Sequence, residues 1–282
     1  MFWIKKGAVV VEFVSLPVIS IALFILIIHS IETLAYAVRL SGARVKLIAS
    51  GLSLFNMMVI VSRMSNMMQQ PFTGGLIDAA PDGRELEVID GQFRVLIGAS
   101  TLGTILGIIL LPTFVALFSR GIIHLSEQGG SVPRLIKLGF KNDLYKRGIN
   151  HIAKPGRRYL TGINFRAIPK RLFFINMMIT AVYTIGVLSA LYAAIIVPDR
   201  GHSATMASGL INGIATILLT LFIDPKISVL ADDVANGKGN YTELKGLSIM
   251  MIISRLFGTV IAQLIFIPGS YYIAWMSQFF VS

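Results

Sequence analysis

The sequence predicts an all-α, polytopic membrane protein of about six transmembrane helices with a polar central seam. Hydrophobic residues make up 55% of the 282 positions and charged residues only 14%, and mean hydropathy is +0.75, a balance outside the soluble classes. Several apolar stretches exceed the ~20 residues a helix needs to cross roughly 30 Å of hydrocarbon. None shows the ~10-residue alternation of an outer-membrane barrel. The chain reads as one integral membrane domain, residues 1–282.

Taken in order, the spans fall near 17–38, 46–69, 94–118, 171–197, 203–223 and 246–267. Lys5 and Lys6 before an apolar run imitate a signal peptide. The run continues to Glu32 without a small-residue cleavage site, which predicts a retained first span. Gly7 to Leu16 is also apolar, carries Glu12 and precedes Pro17; it reads as a lead-in helix or as an extension of a tilted span. Pro268-Gly269 predicts the end of the sixth span, and Tyr271, Tyr272, Trp275, Phe279 and Phe280 an interfacial anchor rather than a seventh crossing. No internal sequence repeat stands out.

Charge placement predicts orientation. The 1–2, 3–4 and 5–6 connections hold eighteen basic residues, twelve of them between Arg120 and Arg171. The other side holds Lys5, Lys6, Arg84, Arg94 and Arg200, and its 2–3 loop carries Asp78, Asp82, Glu85, Glu87 and Asp90. The positive-inside rule then makes the eighteen cytoplasmic and both termini external. The net charge of +11 thus reports topology, and no nucleic-acid module accompanies it. Within the 119–170 connection, Leu135, Ile136, Leu138 and Phe140 alternate with Arg134, Lys137 and Lys141. Two readings stay open there: a helix lying on anionic lipid, or a topology determinant alone. Membrane lipids are expected contacts in either case.

Ionisable side chains inside a span cost at least ~2.5–3.5 kcal/mol each on insertion scales, so each should face a partner, water or a substrate path. His29, Glu32, Tyr36 and Arg39 fall on one stripe of span one. Asn56, Arg63, Asn66 and Gln70, with Ser53 a turn earlier, make a second stripe on span two. At ~1.5 Å per residue Glu32 lies about 10 Å and His29 about 15 Å above the inner surface, and Arg255 about 15 Å above Lys245. A Glu32–Arg255 pair is the expected contact. The amides Asn56, Asn66, Asn176 and Asn212 also suit plain helix-to-helix hydrogen bonding. Asp224, just before Pro225, reads as a helix-boundary residue rather than a site.

Ala99, Gly103 and Gly107 repeat every four residues on span three, and such a face lets helices approach closely. It serves packing within one subunit or a homodimer interface. Ala204, Ser208, Asn212 and Thr216 look similar on span five. The twelve methionines, Met57, Met58, Met67 and Met68 among them, read as apolar filler.

Enzyme signatures are missing. There is no H-E-x-x-H, G-x-S-x-G or P-loop, and there are no cysteines. The four histidines, at 29, 124, 151 and 202, are too scattered for a metal cage. No metal or other cofactor is expected.

The run from His29 through Glu32, Tyr36 and Arg39 to Gly42-Ala-Arg44, followed by Ser53-Leu-Phe-Asn56 and by Ser62-Arg63-Met-Ser-Asn66-Met-Met-Gln69-Gln-Pro71, resembles the Amj family, alternate to MurJ. The resemblance implies a flippase, not an enzyme, that carries the undecaprenyl-linked peptidoglycan precursor lipid II across the bacterial plasma membrane. Arg39 and Arg44 would capture its pyrophosphate, since guanidinium forks suit phosphate oxygens. Arg255 and Arg63 would offer successive sites, with Glu32, His29, Tyr36, Asn56 and Asn66 completing the polar route. The residues alone also permit an ion-coupled small-solute transporter or an intramembrane enzyme acting on a polyprenyl phosphate.

Overall fold

The computed structural model describes residues 14–131, 163 and 169–280. Seven α-helices are described: α1 (Leu16–Arg44), α2 (Ile48–Asp78), α3 (Glu85–Glu127), α4 (Lys170–Ile196), α5 (Gly201–Phe222), α6 (Asp224–Ala235) and α7 (Tyr241–Met276). Among the described residues six segments are long and apolar enough to cross a membrane: α1, α2, α3, α4, Pro198–Ala235 and Tyr241–Phe279. The Gly7–Leu16 lead-in, up to residue 13, and residues 132–162 and 164–168 of the basic 3–4 connection lie outside the described residues.

The helices are longer than the apolar runs predict. α3 begins at Glu85, so Asp90 and Arg94 are helical rather than part of a loop, and they form an i,i+4 ion pair at 2.9 Å. Glu85 and Glu87 sit in its first turn, where carboxylates suit the exposed N–H groups. Pro268 does not end the helix: α7 runs through that proline to Met276. Proline inside an apolar helix is tolerated when neighbouring groups re-satisfy the backbone. Pro268 lacks the N–H that would meet the Leu264 carbonyl; half a turn on, the Ser270 and Ser189 hydroxyls both donate to the Phe266 carbonyl, at 2.8 and 3.2 Å, and tie this part of α7 to α4. The 5–6 connection is likewise not a plain loop, since α6 occupies twelve residues of it.

α1, α3, α4 and α7 form the centre, with α1 packed along α3 and α4 along α7. α2 leans on α1, and α5 on α4. Both outer helices bury little of themselves; Met64, Met67 and Phe72 of α2 and Met206, Ile217 and Leu221 of α5 are exposed. The Ala99–Gly103–Gly107 face is consumed inside the subunit. A Cβ on Gly103 would stand 2.3 Å from the Leu26 carbonyl oxygen, and one on Gly107 2.6 Å from Thr33 Cβ. Bare backbone there lets α1 and α3 approach closely, and Ser30 Oγ crosses the gap to the Gly103 carbonyl at 2.9 Å.

Among the described residues a smaller alanine-rich cluster joins α4, α5 and α7, and two large apolar clusters fill the ends of the bundle. One joins the C-terminal part of α1 (Leu40, Ala43) to the first turns of α4 and α7 (Leu172, Leu244). The other joins the start of α1 and α3 (Ile21, Phe93) to the last turns of α4 (Leu188, Leu191) and to Phe266. The polar groups lie between them.

Candidate functional site

Burial of a charge inside such a bundle is tolerable only with a hydrogen-bonded partner. Glu32 of α1 and Arg255 of α7 meet that condition: Arg255 Nη2 donates to Glu32 Oε2, and Ser62 Oγ of α2 donates to Glu32 Oε1 at 2.9 Å. Their side chains are 17% and 9% exposed, so the contact expected from the sequence forms away from bulk water. Arg255 Nε is buried and finds no hydrogen-bond partner among the described residues. The pair therefore keeps one donor in reserve.

A second ion pair stands nearer the Arg39 end. Arg39 Nη2 donates to Asp224 Oδ1 at 2.7 Å, and the Arg39 guanidinium lies 4.2 Å over the Phe55 ring. Asp224 was read from the sequence as a boundary residue. It does start α6, yet its carboxylate turns into the bundle and joins the site.

Both pairs border one cavity of about 100 Å³. Glu32, Tyr36, Arg39, Arg63, Asp224 and Arg255 supply its polar wall. Three guanidinium groups face two carboxylates, an excess of one positive charge suited to an anion. The volume holds a phosphate-sized group and a few waters. α2 and α5 line the cavity from either side yet barely touch each other, which leaves a seam between them. Tyr183 of α4 lines the same wall as Glu32. Sequence reasoning missed it, because a lone tyrosine in an apolar span carries no signal apart from its neighbours.

His29 and Asn66 do not reach this cavity. They border a smaller one, about 30 Å³, with Gln69, Ser100, Tyr183 and Thr184. His29 is 5% exposed and its Nδ1 has no partner among the described residues. Asn66 accepts from Gln69 Nε2 at 3.0 Å. Asn56 and Arg44 line neither cavity and are exposed. Asn56 shares the phase of Arg63, about 20° away at ~100° per residue, on the exposed side of α2; the long Arg63 side chain reaches the cavity from there and the short amide does not. Arg44 is the last residue of α1 and stands beyond the cavity. Asn176 acts as helix glue, donating to the Met251 carbonyl at 3.0 Å and contacting Ser254 Oγ at 2.7 Å.

Fold and site together define a polytopic helical membrane protein with a charged cavity at the meeting of its central helices. The family model "Alternate to MurJ" (Amj) matches residues 24–277, and the chain belongs to that family. It is also 61% identical, over 95% of its own length and 99% of the other's, to a protein of Bacillus subtilis (strain 168) named lipid II flippase Amj. No solved structure matches the chain.

Proposed function

We propose that this chain flips lipid II across the bacterial plasma membrane for cell-wall synthesis, and that the Glu32–Arg255 cavity is the route of the pyrophosphate. The observation that carries the site assignment is the buried ion pair itself. Two charges held out of water are a poor route to stability, whereas a charged wall beside a lipid-facing seam gives a polar head passage while the polyprenyl tail stays in hydrocarbon. Arg39 and Arg255 receive the phosphate oxygens, and Arg63 of the flanking helix α2 adds a third cation. Asp224 and Glu32 hold these guanidinium groups while the cavity is empty and must yield them when the anion arrives. The sugar–peptide head is too large for the cavity, so α2 and α5 must part for it to pass.

The Arg39 end faces the cytoplasm in this reading, where the precursor is made, and both termini are external. In an otherwise cysteine-free chain, a cysteine at Asp82 reacts with an impermeant maleimide from outside, and one at Asn236 only after permeabilisation; the reverse pattern overturns the orientation. The activity test is movement of labelled lipid II across vesicles containing purified protein, with the compound recovered intact. Release of phosphate from it would instead support an enzyme, and solute uptake without lipid movement a small-solute transporter.

A further inference from the structure

The six crossings form two groups of three with the same internal packing. α1 is flanked by α3 and α2, and α4 by α7 and α5. The close approaches correspond. Gly103 of α3 admits the Leu26 backbone of α1, and Gly258 of α7 admits the Met177 backbone of α4, where a Cβ would lie 2.3 and 2.6 Å from the respective carbonyl oxygens. Each glycine precedes a fully buried threonine, Thr104 and Thr259. The first and second helices of the groups meet at Gly42 with Gly51 and at Ala194 with Gly201. The groups run in opposite directions, because the apolar clusters unite the end of α1 with the start of α4 and the start of α1 with the end of α4. This is the arrangement of an inverted repeat.

The repeat relates the two cavities. Counting along the helices from the matched approaches, Arg255 of the larger cavity corresponds to Ser100 of the smaller, Thr216 to Asn66, and Leu219 to Gln69. Thr180 corresponds to His29 in the same way, and Glu32 to Tyr183, the residue that borders both. The smaller cavity is thus the larger one with the groups exchanged, in its contracted form.

We propose that the two cavities are the two ends of an alternating-access path, opened in turn by α2 and α5, and that the smaller one is the release site for the pyrophosphate. The alternation follows from the packing; the ligand rests on the flippase reading above. The chemistry of the walls gives the direction. The larger cavity offers three guanidinium groups, while the smaller offers only neutral hydrogen-bonding groups and the imidazole of His29. An anion is captured on the charged side and held weakly on the other.

The test uses full-length protein in sealed vesicles with single cysteines at the corresponding positions Thr216 and Asn66 and no lipid II present. An impermeant maleimide labels the two from opposite faces. Ala35→Trp, which fills the larger cavity, raises labelling at Asn66 and lowers it at Thr216, each several-fold. Labelling of both from one face, no labelling at Asn66 in either background, or rates unmoved by a folded Ala35→Trp overturns the alternation. If Ala35→Trp fails to fold, a short reducible cross-link between cysteines at Phe55 and Leu219 replaces it. Translocation stops when the link forms and returns on reduction; undiminished translocation in the linked protein overturns the proposal. Added lipid II then protects the cysteine at Thr216; absent protection with alternation intact overturns the ligand and the release site while leaving the repeat.

Discussion

Glu32 is the residue on which most of the site depends, and its substitutions separate charge from packing. Glu32→Gln keeps a group for Ser62 and Arg255 to bond but leaves the guanidinium charge unbalanced, so the protein folds with a midpoint between those of wild type and Glu32→Ala while translocation falls about 10-fold. Glu32→Ala strands a buried guanidinium, at a cost of roughly 3–5 kcal/mol, and lowers the midpoint measurably. A Glu32→Gln protein with full transport would remove the carboxylate from the mechanism. At Asp224 the effect has a different sign. Asp224→Asn loosens the 2.7 Å hold on Arg39, so the anion binds more tightly and leaves more slowly; initial-rate measurements should show half-saturation and maximal rate falling together. The stripe on α1 was legible because helical spacing groups His29, Glu32, Tyr36 and Arg39. Asp224 was not, because an aspartate before proline looks like a helix start, which it also is. Asn56 went astray through reach: α2 buries only one narrow edge, and from beside it the long Arg63 side chain lines the cavity while the shorter Asn56 does not.

At the scale of the element, glycines decide which helices approach and which remain free. Gly103→Ala forces a methyl against the Leu26 backbone, an overpacking that costs typically ~1–3 kcal/mol, and lowers the thermal midpoint. Gly209 meets nothing within 4 Å, and Gly209→Ala leaves the midpoint unchanged or slightly raised, as replacing helical glycine should. Equal midpoints for the two variants would contradict the packing of α1 on α3. The small-residue face was readable from its spacing of four, but whether it bound a neighbour within the chain or a second copy was not, because both uses want the same residues. Helix lengths were read short for a related reason. Hydropathy marks the lipid-embedded part of a helix, and α3 and α7 continue past it.

The whole molecule was legible in its class and span count and not in its symmetry. Apolar runs and basic residues announce six crossings, since length and charge act locally. An inverted repeat preserves packing distances rather than residue identity: Glu32 opposite Tyr183 and Arg255 opposite Ser100 share no chemistry that a sequence would display. That difference is what makes one end of the path charged and the other neutral. Whether the charged cavity carries the pyrophosphate of lipid II is read from the translocation rate of labelled lipid II in vesicles holding equal amounts of folded wild-type and Arg255→Ala protein, with Glu32→Gln/Arg255→Gln as the charge-balanced control. Arg255→Ala and the balanced double variant should both be slower than wild type by about 10-fold or more, the double without the loss of stability that a stranded carboxylate brings. Wild-type rates in the folded double variant would contradict the account.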